Sequence, residues 1–158
     1  MKKQKGFSLI ELLIVVAIIL IIAAIAIPNL IRSKMAANEA SAVASLRTIN
    51  TAEVTYNNTY PGLFGSLAQI GPADATCSAG PVVGHACLID FLLSQGTKSG
   101  YTFVATGSAL NVGTFTNSAV PVTQGSTGTR SFCSDQNLVL YYISTGGACT
   151  VATATAPL

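Results

Sequence analysis

The sequence predicts an α+β protein: one long N-terminal helix, its first half a membrane span, with its second half packed on a C-terminal antiparallel sheet. Three observations carry the prediction. An unbroken apolar run occupies Leu12 to Ile27, a helical repeat of apolar positions continues to about Asn57, and several short strand-like runs follow between turn residues. With 158 residues, the chain has room for one ordinary domain and one special segment.

From Phe7 to Ile27 only Ser8 and Glu11 interrupt the apolar character. As a helix these residues span roughly 31 Å, the thickness of a bilayer core. Lys2, Lys3 and Lys5 precede them, so the positive-inside rule leaves the N-terminus in the cytoplasm and everything after Pro28 outside. Pro28 lacks an N–H and crowds the preceding turn, which predicts a kink there rather than an end. Beyond it, Met35, Ala42, Leu46, Ile49 and Tyr56 recur at three, four or seven residues, with Arg32, Lys34, Glu39, Arg47 and Glu53 interspersed. Asn57 to Gly62 ends the helix, because Pro61 cannot continue it and Gly62 supplies the reversal.

A long connection follows, with short helices expected at 63–70 and 86–95. Strands are expected at 101–106, 111–116, 120–123, 130–134 and 138–144. The close spacing of these runs favours antiparallel pairing, and a long helix followed by strands reads as α+β. Gly125 to Arg130 is glycine-rich but lacks a P-loop lysine and reads as a turn between strands.

Composition excludes several functions. Charged residues make up 9 % of the chain, against roughly 25 % in an average soluble protein, and half the residues are apolar, which argues against disorder. The net charge of +2 comes from the three leading lysines. From Asn58 onward the charges are Asp74, Asp90, Lys98, Arg130 and Asp135, too few cations for a nucleic-acid surface. A head so poor in charge suits a subunit packed against its own copies. The one histidine, His85, with four widely spaced cysteines gives no zinc pattern, and it has no second base or orienting acid for nucleophilic catalysis. No catalytic residue, metal site or cofactor is expected. Tyr56, Tyr60 and Phe64, four apart, read as packing at the helix end rather than as an aromatic track. The sequon Asn57-Asn58-Thr59 reads as part of the helix end.

Three readings compete for the N-terminal segment. It serves as a plain anchor starting at Met1, as a secretory signal cut after the Ala24-Ile25-Ala26 site to leave Ile27, or as a span preceded by a removable leader. Glu11 weakens the second, because a carboxylate is costly in a region selected for apolarity. The third rests on Gly6, Phe7 and Glu11. Glycine leaves the backbone open to a peptidase at the membrane face, cleavage exposes a new amine on Phe7, and Glu11 lies about 6 Å further along the helix. A carboxylate buried by assembly needs a partner, and once the lysines are gone that amine is the nearby cation.

Lys5-Gly-Phe-Ser-Leu-Ile-Glu-Leu-Leu-Ile-Val-Val-Ala-Ile-Ile19 followed by Ile25-Ala-Ile-Pro28 closely resembles the N-terminus of type IV prepilins and type II secretion pseudopilins. The resemblance covers about the first 30 residues. It implies cleavage between Gly6 and Phe7 by a prepilin peptidase, methylation of the Phe7 amine and polymerisation with Glu11 paired to a neighbour's Phe7. Its layout is a leader at 1–6, a span and polymerisation helix at 7–29, an amphipathic continuation at 30–57 and a globular head at 58–158. Implied partners are further copies in a helical filament, the peptidase and methyltransferase, an inner-membrane assembly platform and its ATPases. The subunit waits in the inner membrane with a periplasmic head, then joins an extracellular pilus or, for a pseudopilin, a periplasmic one. The alternative from another class is a singly anchored periplasmic binding domain.

Cys77, Cys87, Cys133 and Cys149 all fall on the outer side, where an oxidising compartment pairs them. Of three connectivities, nearest neighbours are favoured: Cys77 with Cys87 and Cys133 with Cys149. A disulfide near the C-terminus also resembles the exposed disulfide loop of many type IV pilins, here Ser134 to Ala148.

Overall fold

A computed structural model describes residues 7–107 and 113–158. The expected leader, with Gly6, and the first two residues of the strand expected at 111–116 lie outside them. Helix α1 runs from Leu9 to Thr59 with Pro28 inside it, and the chain divides into two compact units, Met1–Lys34 and Met35–Leu158.

In the first unit, the side chains from Phe7 to Ile22 and from Ala24 to Lys34 are exposed, and the helix is long and apolar enough to cross a membrane, with a mean hydropathy of 3.3 over its best window. An all-round apolar surface of this kind needs lipid or other helices around it.

In the second unit, the residues of α1 from Glu39 onward pack on one face of a six-stranded sheet. Short helices α2 (Leu67–Ile70) and α3 (Phe91–Ser94) lead into strands β1 (Thr97–Lys98), β2 (Tyr101–Gly107), β3 (Phe115–Pro121), β4 (Ser131–Asp135), β5 (Leu140–Ile143) and β6 (Ala156–Pro157). Spatial order equals chain order and every pairing is antiparallel. Ala42, Leu46, Ile49 and Tyr56 from the helix meet Tyr101, Phe103, Ala119, Phe132 and Leu140 from the sheet in one core. The alternation of buried and exposed residues along β2 follows from the two-residue period of a strand with one face on that core.

The expected strands at 111–116 and 120–123 are one strand, β3. Asn117 and Ser118, polar enough to suggest a turn, continue it because the Asn117 amide finds a partner on α1: its Nδ2 donates to Asn50 Oδ1 at 2.9 Å. The 63–70 helix shortens to α2, since Tyr60 to Gly65 turns back against β2. The 86–95 helix shortens to α3, since Ala86, Cys87 and Leu88 donate backbone hydrogen bonds to Gln69, Gly71 and Ile70 instead. Asp90 then caps α3, accepting from the Leu93 N–H at 3.0 Å. β5 starts at Leu140 because Asp135 accepts from the Asn137 N–H in a side-chain turn, and Leu138 takes φ 64°. Glu39 and Glu53, two of the charged residues interspersed with the apolar repeat, are buried.

Both edges of the sheet are two-residue strands. One carries Lys98, paired to Asp90 at 2.9 Å, and the other ends in Pro157. Past β1, the end of β2 is closed by the helix-to-sheet connection: a Cβ on Gly107 would lie 2.1 Å from the Phe64 carbonyl oxygen.

Candidate assembly segment and the head it carries

The first turn of α1 is organised by Glu11. Ser8 is the residue before the helix, its carbonyl accepts from the Glu11 and Leu12 N–H groups at 3.1 and 3.2 Å, and Glu11 Oε2 accepts the Ser8 N–H at 2.9 Å. This is the backward half of a capping box, with the acid at the third helical position. A carboxylate there also complements the positive end of the helix dipole. Phe7, at 79 % exposure, sits just ahead of this turn. Cleavage before Phe7 would place a new cation one helical turn from Glu11.

The head holds its polar residues in a different way. Glu39 is a hub between α1 and the β3–β4 turn. Its Oε1 accepts from Thr129 N–H (2.9 Å), Thr129 Oγ1 (2.8 Å) and Arg130 N–H (3.2 Å), and its Oε2 from Arg130 Nε (2.8 Å). Burial works against its charge, but the bonds from Thr129 and Arg130 outweigh burial and hold the carboxyl below the usual carboxylate range. The Arg130 guanidinium lies 5.5 Å from the Phe132 ring centre and 5.6 Å from that of Tyr142. The glycine-rich turn read from sequence is therefore where the helix is fastened, with Asn38 Nδ2 donating to the Thr127 carbonyl at 2.8 Å.

Deeper in the same interface, Asn50 Oδ1 accepts from both Asn117 Nδ2 and Ser134 Oγ (2.8 Å). Tyr56 packs at a tilt against Tyr60 with ring centres 4.9 Å apart, whereas Phe64 turns away to Phe115. The structure pairs Cys77 with Cys87 and Cys133 with Cys149. Segment 134–148 is not simply a loop: it contains β5, and both its cysteines are buried. The β-bridge between Val82 and His85 folds the smaller ring on itself. Among the described residues, no group of three or more His, Cys, Asp or Glu converges as a metal site. A cavity of about 440 Å³ lies beside α1, and Arg47 is the one ionisable residue in its lining.

The prokaryotic N-terminal methylation motif matches residues 1–27, and over 85 residues the chain is 41 % identical to the type IV wide pilus major component PilA4 of Thermus thermophilus. The N-terminal region is thus similar to those of type IV pilins and of a type II secretion protein. The PilA4 alignment covers 49 % of this chain and 65 % of that relative. Two further relatives are the type IV major pilin protein PilA of Myxococcus xanthus, 46 % identical over 34 % of this chain and 24 % of its own, and the type II secretion system core protein G of Vibrio cholerae, 38 % identical over 39 % and 44 %. The chain thus spans less than two thirds of each of these relatives. No solved structure gives a significant match. Glu39, Asn50, Glu53 and Arg130, which organise the second unit, carry no motif. Their one sequence signal was the scarcity of charge around them.

Proposed function

We propose that the chain is a structural subunit, not an enzyme: a pilin of a bacterial type IV pilus, cleaved between Gly6 and Phe7, N-methylated at Phe7 and polymerised through its N-terminal helix into a surface filament for adhesion or motility. The observation that carries this reading is the Gly6-Phe7…Glu11 motif heading a helix whose apolar side chains are exposed all round. Residues 7–29 span the inner membrane and later form the filament core, 30–57 continue the helix, and 58–158 form the periplasmic and then extracellular head. On burial, the Glu11 carboxylate exchanges the Ser8 N–H for the stronger, charge-assisted partner offered by a neighbour's Phe7 amine. The prepilin peptidase and methyltransferase, an assembly platform and ATPases are its partners.

A second reading, a type II secretion pseudopilin, is favoured by the similarity to core protein G. Intact-mass spectrometry of protein sheared from the cell surface separates the two. A chain beginning at Phe7, with one added methyl and four hydrogens lost to two disulfides, supports the pilus subunit. A chain so processed but confined to the membrane fraction moves the assignment to a pseudopilin or a rare minor pilin, and an N-terminus at Met1 or Ile27 overturns the family mechanism in favour of an anchored domain or a cut signal.

A further inference from the structure

Glu53 is a carboxylic acid with nowhere to put a charge. It is wholly buried on α1, its Oε2 accepts one hydrogen bond, from the Gly65 N–H at 2.8 Å, and its Oε1 has no partner. Burial pushes its carboxyl up to about 7, against the Gly65 N–H, which favours the charged form. The groups around it offer no counter-charge. On α1, Tyr56, one turn on, donates its hydroxyl to the Val83 carbonyl at 2.6 Å, with the Tyr60 ring packed against it at a tilt. From the connection, Gly65 contributes backbone only, and His85 lies two residues past Val83 with its Nδ1 buried and unpartnered. The cations Arg130 and Lys98 are engaged by Glu39 and Asp90.

The segment that Glu53 holds is tightly seated. Gly65 is buried, a Cβ there would come within 2.7 Å of the Ile70 side chain, and Phe64 packs on Phe115 with ring centres 5.0 Å apart while its backbone closes the end of β2. With the segment seated, the Glu53 side chain is out of contact with solvent.

We propose that Glu53 is a proton-dependent latch on the Tyr60–Ser66 connection: the closed segment holds the neutral acid, and ionisation of Glu53 is coupled to lifting of the segment from α1 and from the end of β2. The inference stands apart from the filament reading, since it concerns the head alone. The sign follows from linkage. An acid whose value is raised on folding favours the closed form at low pH, and that preference is lost as pH rises from the ordinary value of 4.5 to about 7. Opening therefore grows up to tenfold per pH unit across that window and levels off above it, with a ceiling of roughly 300-fold.

The test is hydrogen exchange of the Tyr60–Ser66 backbone in the full processed chain in detergent micelles between pH 5 and 8, wild type against Glu53→Gln at each pH, so that intrinsic exchange chemistry cancels. The expected result is a ratio of wild-type to variant opening that climbs from pH 5 and flattens above about 7. A ratio that stays constant overturns the latch. Should the Gln variant fail to fold, a carbon-13 titration of the wild-type Glu53 carboxyl decides. A midpoint near 7, mirrored by the Gly65 amide, supports the proposal; a midpoint near 4.5, or a Gly65 amide indifferent to it, refutes it.

Discussion

Replacing Glu39 tests whether the head is fastened to its helix at the β3–β4 turn. In Glu39→Ala, the N–H groups of Thr129 and Arg130 lose their acceptor in a part-buried site, each at about 1–3 kcal/mol. The Arg130 side chain, 41 % exposed, rehydrates and adds little. The expected loss is about 3 kcal/mol, a fall in Tm of about 10 °C for a unit of this size. Glu39→Gln keeps a carbonyl oxygen for both backbone donors and loses only the ion pair, about 1 kcal/mol. Because the folded carboxyl lies below its ordinary value, its charge contributes stability above that value, and the contribution disappears as pH falls through the folded one. The gap between wild type and Gln is accordingly full at pH 7 and closes in acid. Thermal unfolding followed by near-ultraviolet tyrosine circular dichroism suits the measurement, because the chain has five tyrosines and no tryptophan, and an apolar helix in a micelle will not obscure the signal. An alanine variant within about 0.5 kcal/mol of wild type, or a glutamine variant as damaged as alanine, would refute the hub.

Asn50→Leu strands the Asn117 amide and the Ser134 hydroxyl in the core and should cost about 2–4 kcal/mol by denaturant titration, far more than a surface Asn change. Cys133→Ser with Cys149→Ser opens a bridge of sequence separation 16 and should lower stability by about 3 kcal/mol in the chain-entropy model, read as an unfolding midpoint against wild type under oxidising conditions. Glu11→Val should leave a folded, processed, membrane-held subunit with sharply reduced filament yield in shearing assays; normal yield would remove Glu11 from assembly.

What could be read from sequence was whatever rests on local physics. The apolar run, the helical repeat through Tyr56, the Asn57 to Gly62 stop and the alternation in Tyr101, Phe103 and Ala105 each reflect a few adjacent residues. The burial of Glu39 and Glu53 was not legible because their partners lie outside the helix pattern: Arg130 is 91 residues from Glu39, and Gly65 is 12 from Glu53. Asn117 was misread for the same reason, since a residue that favours turns in isolation becomes a strand residue once Asn50 meets its amide. The two-residue strands β1 and β6 carry no pattern that a period of two can reveal.

The short edges have a bearing on crowding. The filament proposed above would bring sheets close together at high local concentration, the condition under which open strand edges recruit one another into irreversible stacks. Here a lysine stands on one rim, a proline with no N–H to give stands on the other, and the strand behind the first rim is capped by the chain's own turn. Neighbouring heads in such a filament would thereby find no long open strand edge on one another, so that any order among them need not compete with amyloid-like pairing.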